Sequence, residues 1–413
     1  MNNKKKLLLA GLGLCVLCVV ILAAVIVQSF AIQPPTTIEL AKLPAGEYDP
    51  AVWGRYYPLE YESYKKNLEM APSPTGFGGS VNEQKSIKEP EILMNFKGMA
   101  FSKDYSEDRG HPYSLEDLMS SERVTPATVG SCMTCKTPYI KDVFKEKGWE
   151  YANLPLSEVI KGAGHPISCA NCHDPATMKL TVANPAFIEA MQKKGIDVHE
   201  ASRKEMRSYV CGQCHSEYYF EPKTNRVVFP WDKGYTPEQM YAYYEEKPAG
   251  FEKDWVHPDS QAKMLKAQHP DFETWAGGVH GKSGVSCADC HMPFQRHNGQ
   301  KYSSHHVTSP MKNIEGSCKT CHTQSADWLL ERVKTEQNNV FELQHTAGLA
   351  VSRAHEVIGK ASAVATADKA GLDEARELVR KAQWFWDIVA AENGMGFHNP
   401  DQVMNTLGRS IDM

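Results

Sequence analysis

The chain has 413 residues, of which 42% are hydrophobic, and a formal net charge of −5; this supports a large folded core and excludes a disordered chain. With charge so near balance and no basic block beyond the extreme amino terminus, nucleic acid is excluded as a partner. Any anion site must be a local arrangement of cations.

Lys4, Lys5 and Lys6 open the chain, and an uncharged apolar run, Leu7 to Val27, follows. A bilayer needs roughly 20 apolar residues, so this run is long enough to span one. The lysines orient it with the rest of the chain outside the inner membrane, and it exceeds the usual secretory core of about 7–15 residues. Residues 1–32 therefore read as a signal anchor, or as a signal peptide cleaved after Ala31 with Ser29 in the small-residue position. Cys15 and Cys18 read as membrane filler. From residue 33 to about 130 the chain is rich in proline, glycine and tyrosine, with a short helix predicted over Leu115–Met119 and Ser114 as its candidate cap.

The remaining ten cysteines form five C-x-x-C pairs: Cys132 and Cys135, Cys169 and Cys172, Cys211 and Cys214, Cys287 and Cys290, Cys318 and Cys321. Paired cysteines in an exported chain suggest disulfides or zinc. The next residue decides, because four pairs run directly into a histidine: His173, His215, His291 and His322. With 16 histidines in the chain, four such hits in five would arise by chance on the order of once in a hundred thousand, so the pattern is that of haem c attachment. Two thiols on one tight turn reach the two vinyl groups of a porphyrin, and the adjacent imidazole lies under the iron. Five such discs within residues 132–322 leave little room for a sheet and force the haems close together, as in an electron wire. In this stretch short helices alternate with glycine and proline turns, and Val227–Trp231 is the best strand candidate.

Beyond the last motif two long amphipathic helices are predicted. Leu329, Val333, Val340, Leu343, Ala347, Ala350 and Ala354 mark the apolar stripe of the first. The second follows Gly371 and Leu372, carries Ala375, Leu378, Ala382, Trp386 and Val389 on one face, and stops near Gly394.

The fifth pair is the exception. Cys132-Met-Thr-Cys135 is followed by Lys136, and an amine can bind iron only once deprotonated, which the metal itself drives. One C-x-x-C-K site followed by four C-x-x-C-H sites, with CGQCHSEYYF, MLKAQHPDFETWAGGVHG and KAQWFWD, resembles the pentahaem, ammonia-forming cytochrome c nitrite reductases of the cytochrome c-552 family. The resemblance runs from about Arg109 to Asp412. It implies a mainly α, compact multihaem cytochrome c fold with few short strands and long carboxy-terminal helices. It also implies one pentahaem catalytic domain over 33–413, in which 324–413 form a dimer interface as an alternative to packing on their own haem core. The chain stops at Met413, earlier than many members, and a further carboxy-terminal helix is expected to be missing.

By the same resemblance, Lys136 is the axial ligand of the first, catalytic haem, whose opposite face is open to substrate. His305, His111, His398 and His280 are the distal ligands of the second, third, fourth and fifth haems, with His306 directly beside His305. Arg123, Tyr218 and His269 stand over the open iron face. Nitrite is an anion that loses both oxygens as water, so a permanent cation and proton donors are what the chemistry requires. Arg109 is the other candidate for the arginine. Glu217, Tyr218, Lys266 and Gln268 match a calcium site built from two side chains and two carbonyls.

The expected activity is the six-electron reduction of nitrite to ammonium, with electrons from a membrane quinol-oxidising multihaem cytochrome or a soluble donor. The setting implied is the periplasmic face of the inner membrane. A non-catalytic electron-transfer cytochrome, or a hydroxylamine or sulfite reductase, is the alternative. Lys136 weighs against the first of these, since a wire has no use for one open iron.

Overall fold

The computed structural model describes residues 16–22, 43–44, 46–107 and 109–413. Most of the expected anchor, Cys15 and the alternative cleavage site at Ala31 lie outside these residues. Residues 16–22 are helical and exposed, and among the described residues no helix is long and apolar enough to cross a membrane.

Helices carry the fold, as expected for a mainly α chain. From residue 46 on, those of seven or more residues are α1 (Pro58–Lys65), α2 (Ser114–Ser120), α3 (Ile140–Lys147), α4 (Pro185–Lys193), α5 (Arg203–Gly212), α6 (Pro237–Glu245), α7 (Asp271–Gly277), α8 (Ala326–Ser362), α9 (Lys369–Ala390) and α10 (Pro400–Asp412). Among the described residues the strands form three antiparallel hairpins: β1 (Tyr219–Phe220) with β2 (Val227–Val228), β3 (Trp255–Val256) with β4 (Lys263–Met264), and β5 (Phe294–His297) with β6 (Gln300–Ser303). The strand predicted over Val227–Trp231 is shorter than expected. Pro230 has no N–H for a ladder, and Phe229 and Trp231 turn inward against Phe187.

Ser114 is the first residue of α2 and not its cap. Its hydroxyl donates to the Lys136 carbonyl at 2.8 Å and accepts from the Ile167 N–H at 3.1 Å, tying α2 to the first motif.

The two long helices form, with differences in face and extent. The buried stripe of α8 contains Leu329, Val333, Gln337, Val340, Gln344, Ala347, Val351, His355 and Ile358. Ala350 is exposed, and Leu343 and Ala354 are only half-buried. Apolar identity misleads here because polar Gln337, Gln344 and His355 occupy inward positions, held by hydrogen bonds to Gly394, Glu89 and Gln383. Helix α9 starts earlier than expected, at Lys369, because Asp368 caps it by accepting from the N–H groups of Ala370 and Gly371. It also ends earlier, at Ala390. Leu378 faces solvent, whereas residues 382–390 are buried on every side because α6, α8, α10 and β4 surround them.

A third helix, beyond the two predicted, closes the described chain. Helix α10 packs on α8 and α9, begun by Asn399 as cap and Pro400 at its first position. Gly348 permits close approach on this face of α8: a Cβ there would lie 2.7 Å from Glu91 Cγ and 2.8 Å from Trp386 Nε1.

Candidate active site

Each C-x-x-C segment sits on or next to a single helical turn. Residues Gly130–Cys135 and Cys318–Thr320 are 3-10 turns, Cys169–Cys172 and Cys287–His291 are short α-helices, and Cys211 lies at the end of α5. Local side chains fix the turns. Asn171 Oδ1 accepts from the Ser168 N–H at 3.0 Å, and Asp289 Oδ2 from the Ser286 N–H at 2.8 Å. The N–H groups of His173, His215 and His322 each donate at 2.9 Å to the carbonyl of the first cysteine of their pair. That bond spans four residues and puts the imidazole one turn beyond the first thiol, on the same face. Lys136 differs: its N–H reaches only three residues back, to Met133, at 3.2 Å.

Cys135 and Cys214 are neighbours, as are Cys211 and Cys287, so motifs distant in sequence are contiguous in space. None of the described cysteines is in a disulfide. Two polar residues hold the junction. Asn184 Nδ2 donates to the Gln213 carbonyl at 2.5 Å and to Cys135 Sγ at 3.6 Å, while Gln213 Oε1 accepts from the N–H groups of Ala183 and Asn184. Gly212 lets α5 touch α7, since a Cβ there would fall 2.5 Å from Phe272 Cδ2.

The histidines outside the motifs supply the test of whether these segments fit haem. His173 faces His305 with ring centroids 6.1 Å apart, His322 faces His280 at 6.2 Å, and His291 faces His398 at 6.3 Å. Two metal–imidazole bonds of about 2 Å, plus roughly 1 Å from each nitrogen to its ring centre, put centroids about 6 Å apart. A single metal atom therefore fits between the rings of each pair. His215 has two histidine neighbours, His269 at 6.2 Å between centroids and His111 within electrostatic reach. Burial pulls His111, His173 and His291 down to about 4, which keeps them neutral with a lone pair for a metal. At His398 that effect of burial is outweighed by the Glu392 carboxylate, which raises it to about 9.

Beside the first motif, Arg123 and Lys136 both lie within electrostatic reach of Cys132, and Arg123 also reaches Tyr218. Arg123 is held from behind. Its N–H and Nε donate to Ser121 Oγ at 3.2 and 3.1 Å, and Ser121 donates to Asp104 Oδ2 at 2.5 Å. Its guanidinium stacks 4.5 Å from the Phe101 ring centre. At Asp104, burial alone would raise the pKa; hydrogen bonds from Ser121, Gln84 and Ser106, and the charge of Arg123, outweigh it and keep the group ionised. These residues line a polar cleft of about 230 Å³. Neither this cleft nor a larger one of about 750 Å³ along α10 is lined by a motif residue. Arg109 is engaged elsewhere, bridging Glu116 and Asp117 at 2.7 Å and stacking on Tyr113. Burial pushes the Tyr218 phenol far up, so it stays a hydrogen-bond donor.

The expected calcium ligands converge on buried carboxylate. Glu217 is 0% exposed, and its oxygens accept from the Tyr244 hydroxyl at 3.0 Å and the Gln268 N–H at 2.5 Å. Gln268 lies beside the Lys266 carbonyl, with its amide nitrogen 3.4 Å away. Glu273 accepts from the Glu217 N–H, and its Oε2 is buried with no hydrogen-bond partner. Burial drives Glu217 well above the carboxylate range, Glu273 up to about 8 and Asp254 up to about 7. Lys266, the cation buried among them, forms an ion pair with Asp387 at 2.8 Å. Acid in excess over buried cation, oxygen donors and an orphaned carboxylate oxygen are the environment a hard divalent ion fits.

Thiol pairs on helical turns and imidazoles opposed at metal-bridging distance, on a helical scaffold with almost no sheet, define a multihaem c-type cytochrome. Residues 49–413 match the Cytochrome c552 family, and the chain belongs to that family. It is 38% identical to the cytochrome c nitrite reductase subunit NrfA of Nitratidesulfovibrio vulgaris, across 99% of this chain and 85% of the relative. It is 39% identical to a cytochrome c-552 of Bacteroides thetaiotaomicron, across 86% of this chain and 73% of that one. Among solved structures, the catalytic subunit NrfA of Desulfovibrio desulfuricans, a cytochrome c nitrite reductase with two calcium sites, superposes with a TM-score of 0.83. Identity there is 36%, covering 88% of this chain and 83% of that chain.

Proposed function

We propose that this chain is an ammonia-forming cytochrome c nitrite reductase with five covalently bound haems and a catalytic centre at the Cys132–Lys136 motif. The observation that carries the reading is an asymmetry: each of the four histidine-terminated motifs has a second imidazole with ring centroids 6.1–6.3 Å away, His269 being the one beside His215. His215 has His111 within reach, while the lysine motif is flanked by Arg123 and Tyr218. The relatives named as nitrite reductases support the substrate.

In this reading Cys132, Cys135 and Lys136 hold the catalytic haem. The pairs His173/His305, His215/His111, His291/His398 and His322/His280 would hold the other four. When bound, the haems supply redox-active iron and the path by which electrons arrive. Arg123 holds the nitrite anion, its fork kept in place by Ser121 and the Asp104 carboxylate behind it. His269 donates a proton to a nitrite oxygen, helping it leave as water. Tyr218 supplies a further hydrogen bond. Glu217, the carbonyls of Tyr218 and Lys266, and the side-chain oxygen of Gln268 hold calcium, which fixes the loop carrying Tyr218 and His269 and adds positive charge beside the anion.

Nitrite and an electron-donating cytochrome are the partners. An extracytoplasmic location, anchoring through the amino-terminal segment and dimerisation through 324–413 complete the proposal. The test is ammonium formed per nitrite consumed by holoprotein and by the Lys136→His variant. Both proteins should contain five haems, with turnover lowered more than about tenfold in the variant; equal turnover would remove Lys136 from the mechanism.

A further inference from the structure

The imidazoles assigned above to iron differ in what backs them. His173, His291 and His305 have main-chain carbonyls at Nδ1: Met178 at 3.0 Å, Thr308 at 3.0 Å and Ser303 at 2.9 Å. His215 and His398 face carboxylates instead, Asp271 Oδ2 at 3.1 Å and Glu392 Oε1. Both acids are buried, 8% and 2% exposed.

They also form one unit. Ligand atoms of Asp271, Glu392 and His398 lie within 4.8 Å of one another. The Asn393 N–H donates to Asp271 Oδ1 at 2.8 Å and its amide to Oδ2 at 3.1 Å, while the Gly396 N–H donates to Glu392 Oε2 at 2.8 Å. The turn leaving α9 thus clamps the carboxylate at the start of α7. Each carboxylate is spent on an imidazole N–H and on backbone donors, the arrangement of an outer-shell partner to a metal ligand.

We propose that Asp271 and Glu392 are positioning residues that hold the haems attached at Cys211/Cys214 and Cys287/Cys290 at lower reduction potential than the haem attached at Cys169/Cys172. A carboxylate accepting the Nδ1 proton makes the imidazole a stronger donor and favours the more positive, ferric iron; a carbonyl does so less. The second haem, with carbonyls behind both its histidines, is the internal reference. The two carboxylate-backed haems are thus held below that reference, and their acids meet at one turn: Glu392 directly precedes Asn393, which clamps Asp271. This rests on the ligation proposed above.

The test is a spectroscopic redox titration of holoprotein carrying Glu392→Gln or Asp271→Asn, with haem counted per chain and low-spin EPR signals recorded. Each variant should keep five haems and shift one component about tenfold toward reduction, about 59 mV for one electron. The g-values of that component should move, and the second haem should not. Glu392→Asp, which restores the charge, should recover part of the shift. Asn393→Ala frees Asp271 for His215 and should move that haem in the opposite direction, about twofold to threefold; this variant decides the matter should the charge-removing ones fail to mature. Five haems with unmoved potentials in whichever variants mature would overturn the inference. Fewer than five haems in the unsubstituted protein would instead overturn the ligation reading on which it stands.

Discussion

Replacing Asp387 by Asn should destabilise the protein by about 3–5 kcal/mol, the usual cost of stripping a buried ion of its partner. Lys266 and Asp387 side chains are 1% and 0% exposed and pair at 2.8 Å, with the ammonium also 4.9–5.0 Å from the ring centres of Phe96, Phe101 and Tyr105. Aromatic faces attract the cation but supply no counter-charge, so a neutral amide in place of the carboxylate would leave Lys266 without its hydrogen-bonded counter-ion. The Ala267 N–H would keep its acceptor, since an amide oxygen can replace Asp387 Oδ2. Scaling an unfolding entropy of about 2.1 cal/mol/K per residue to 413 residues gives about 0.9 kcal/mol/K, hence a fall in Tm of about 4–6 °C. Circular dichroism melts of wild type, Asp387→Asn, Lys266→Met and the double variant would complete a cycle, with the double recovering most of the loss. An Asp387→Asn variant melting within about 1 °C of wild type would refute the argument. Because the Lys266 main chain leads through Gln268 to His269, the same variant should also lose calcium affinity.

Glu217→Ala should lower bound calcium by about one ion per chain by elemental analysis, with nitrite turnover falling about 10–100-fold; calcium unchanged from wild type would exclude Glu217 as a ligand. Arg123→Gln should raise the KM for nitrite at least about tenfold, whereas Arg109→Gln, which breaks pairs to α2 and the stacking on Tyr113, should leave KM within about twofold. Glu89 is buried, which raises its pKa to about 7 against about 4.3 in the unfolded chain. Its folded-state stability is therefore present below about pH 4.3 and lost as pH rises through 7, by roughly 4 kcal/mol. Glu89→Gln, able to accept from Gln344, should remove that decline in a Tm series from pH 4 to 8; parallel pH curves for the two proteins would contradict it.

Chemistry written in short motifs was legible in the sequence. The five attachment turns need only consecutive residues, and the helical region after Ser325 follows from a 3.6-residue period. Contacts made by polar groups across long separations were not. Asp271 stands two residues after His269, and Glu392 six before His398, yet only the folded chain shows each aimed at a histidine. Gln213 lies inside CGQCH, and its tie to Asn184 depends on where α4 begins. The burial of Gln344 and exposure of Ala350 invert what hydrophobicity alone implies, because α8 meets Glu89 and the polar edge of residues 91–95 on its inner face. Helix α10 had a readable start in Asn399-Pro400; its short length, close behind a histidine motif, hid it. The partners that Arg123 and Arg109 each hold show only in three dimensions.

The most direct test of the central claim is steady-state reduction of nitrite by purified, fully haem-loaded protein with a chemical electron donor, measuring ammonium against nitrite. Near-stoichiometric ammonium, lost in Lys136→His, is the expected result. No nitrite consumption by protein carrying all five haems would contradict the enzyme reading and leave an electron-transfer cytochrome in its place.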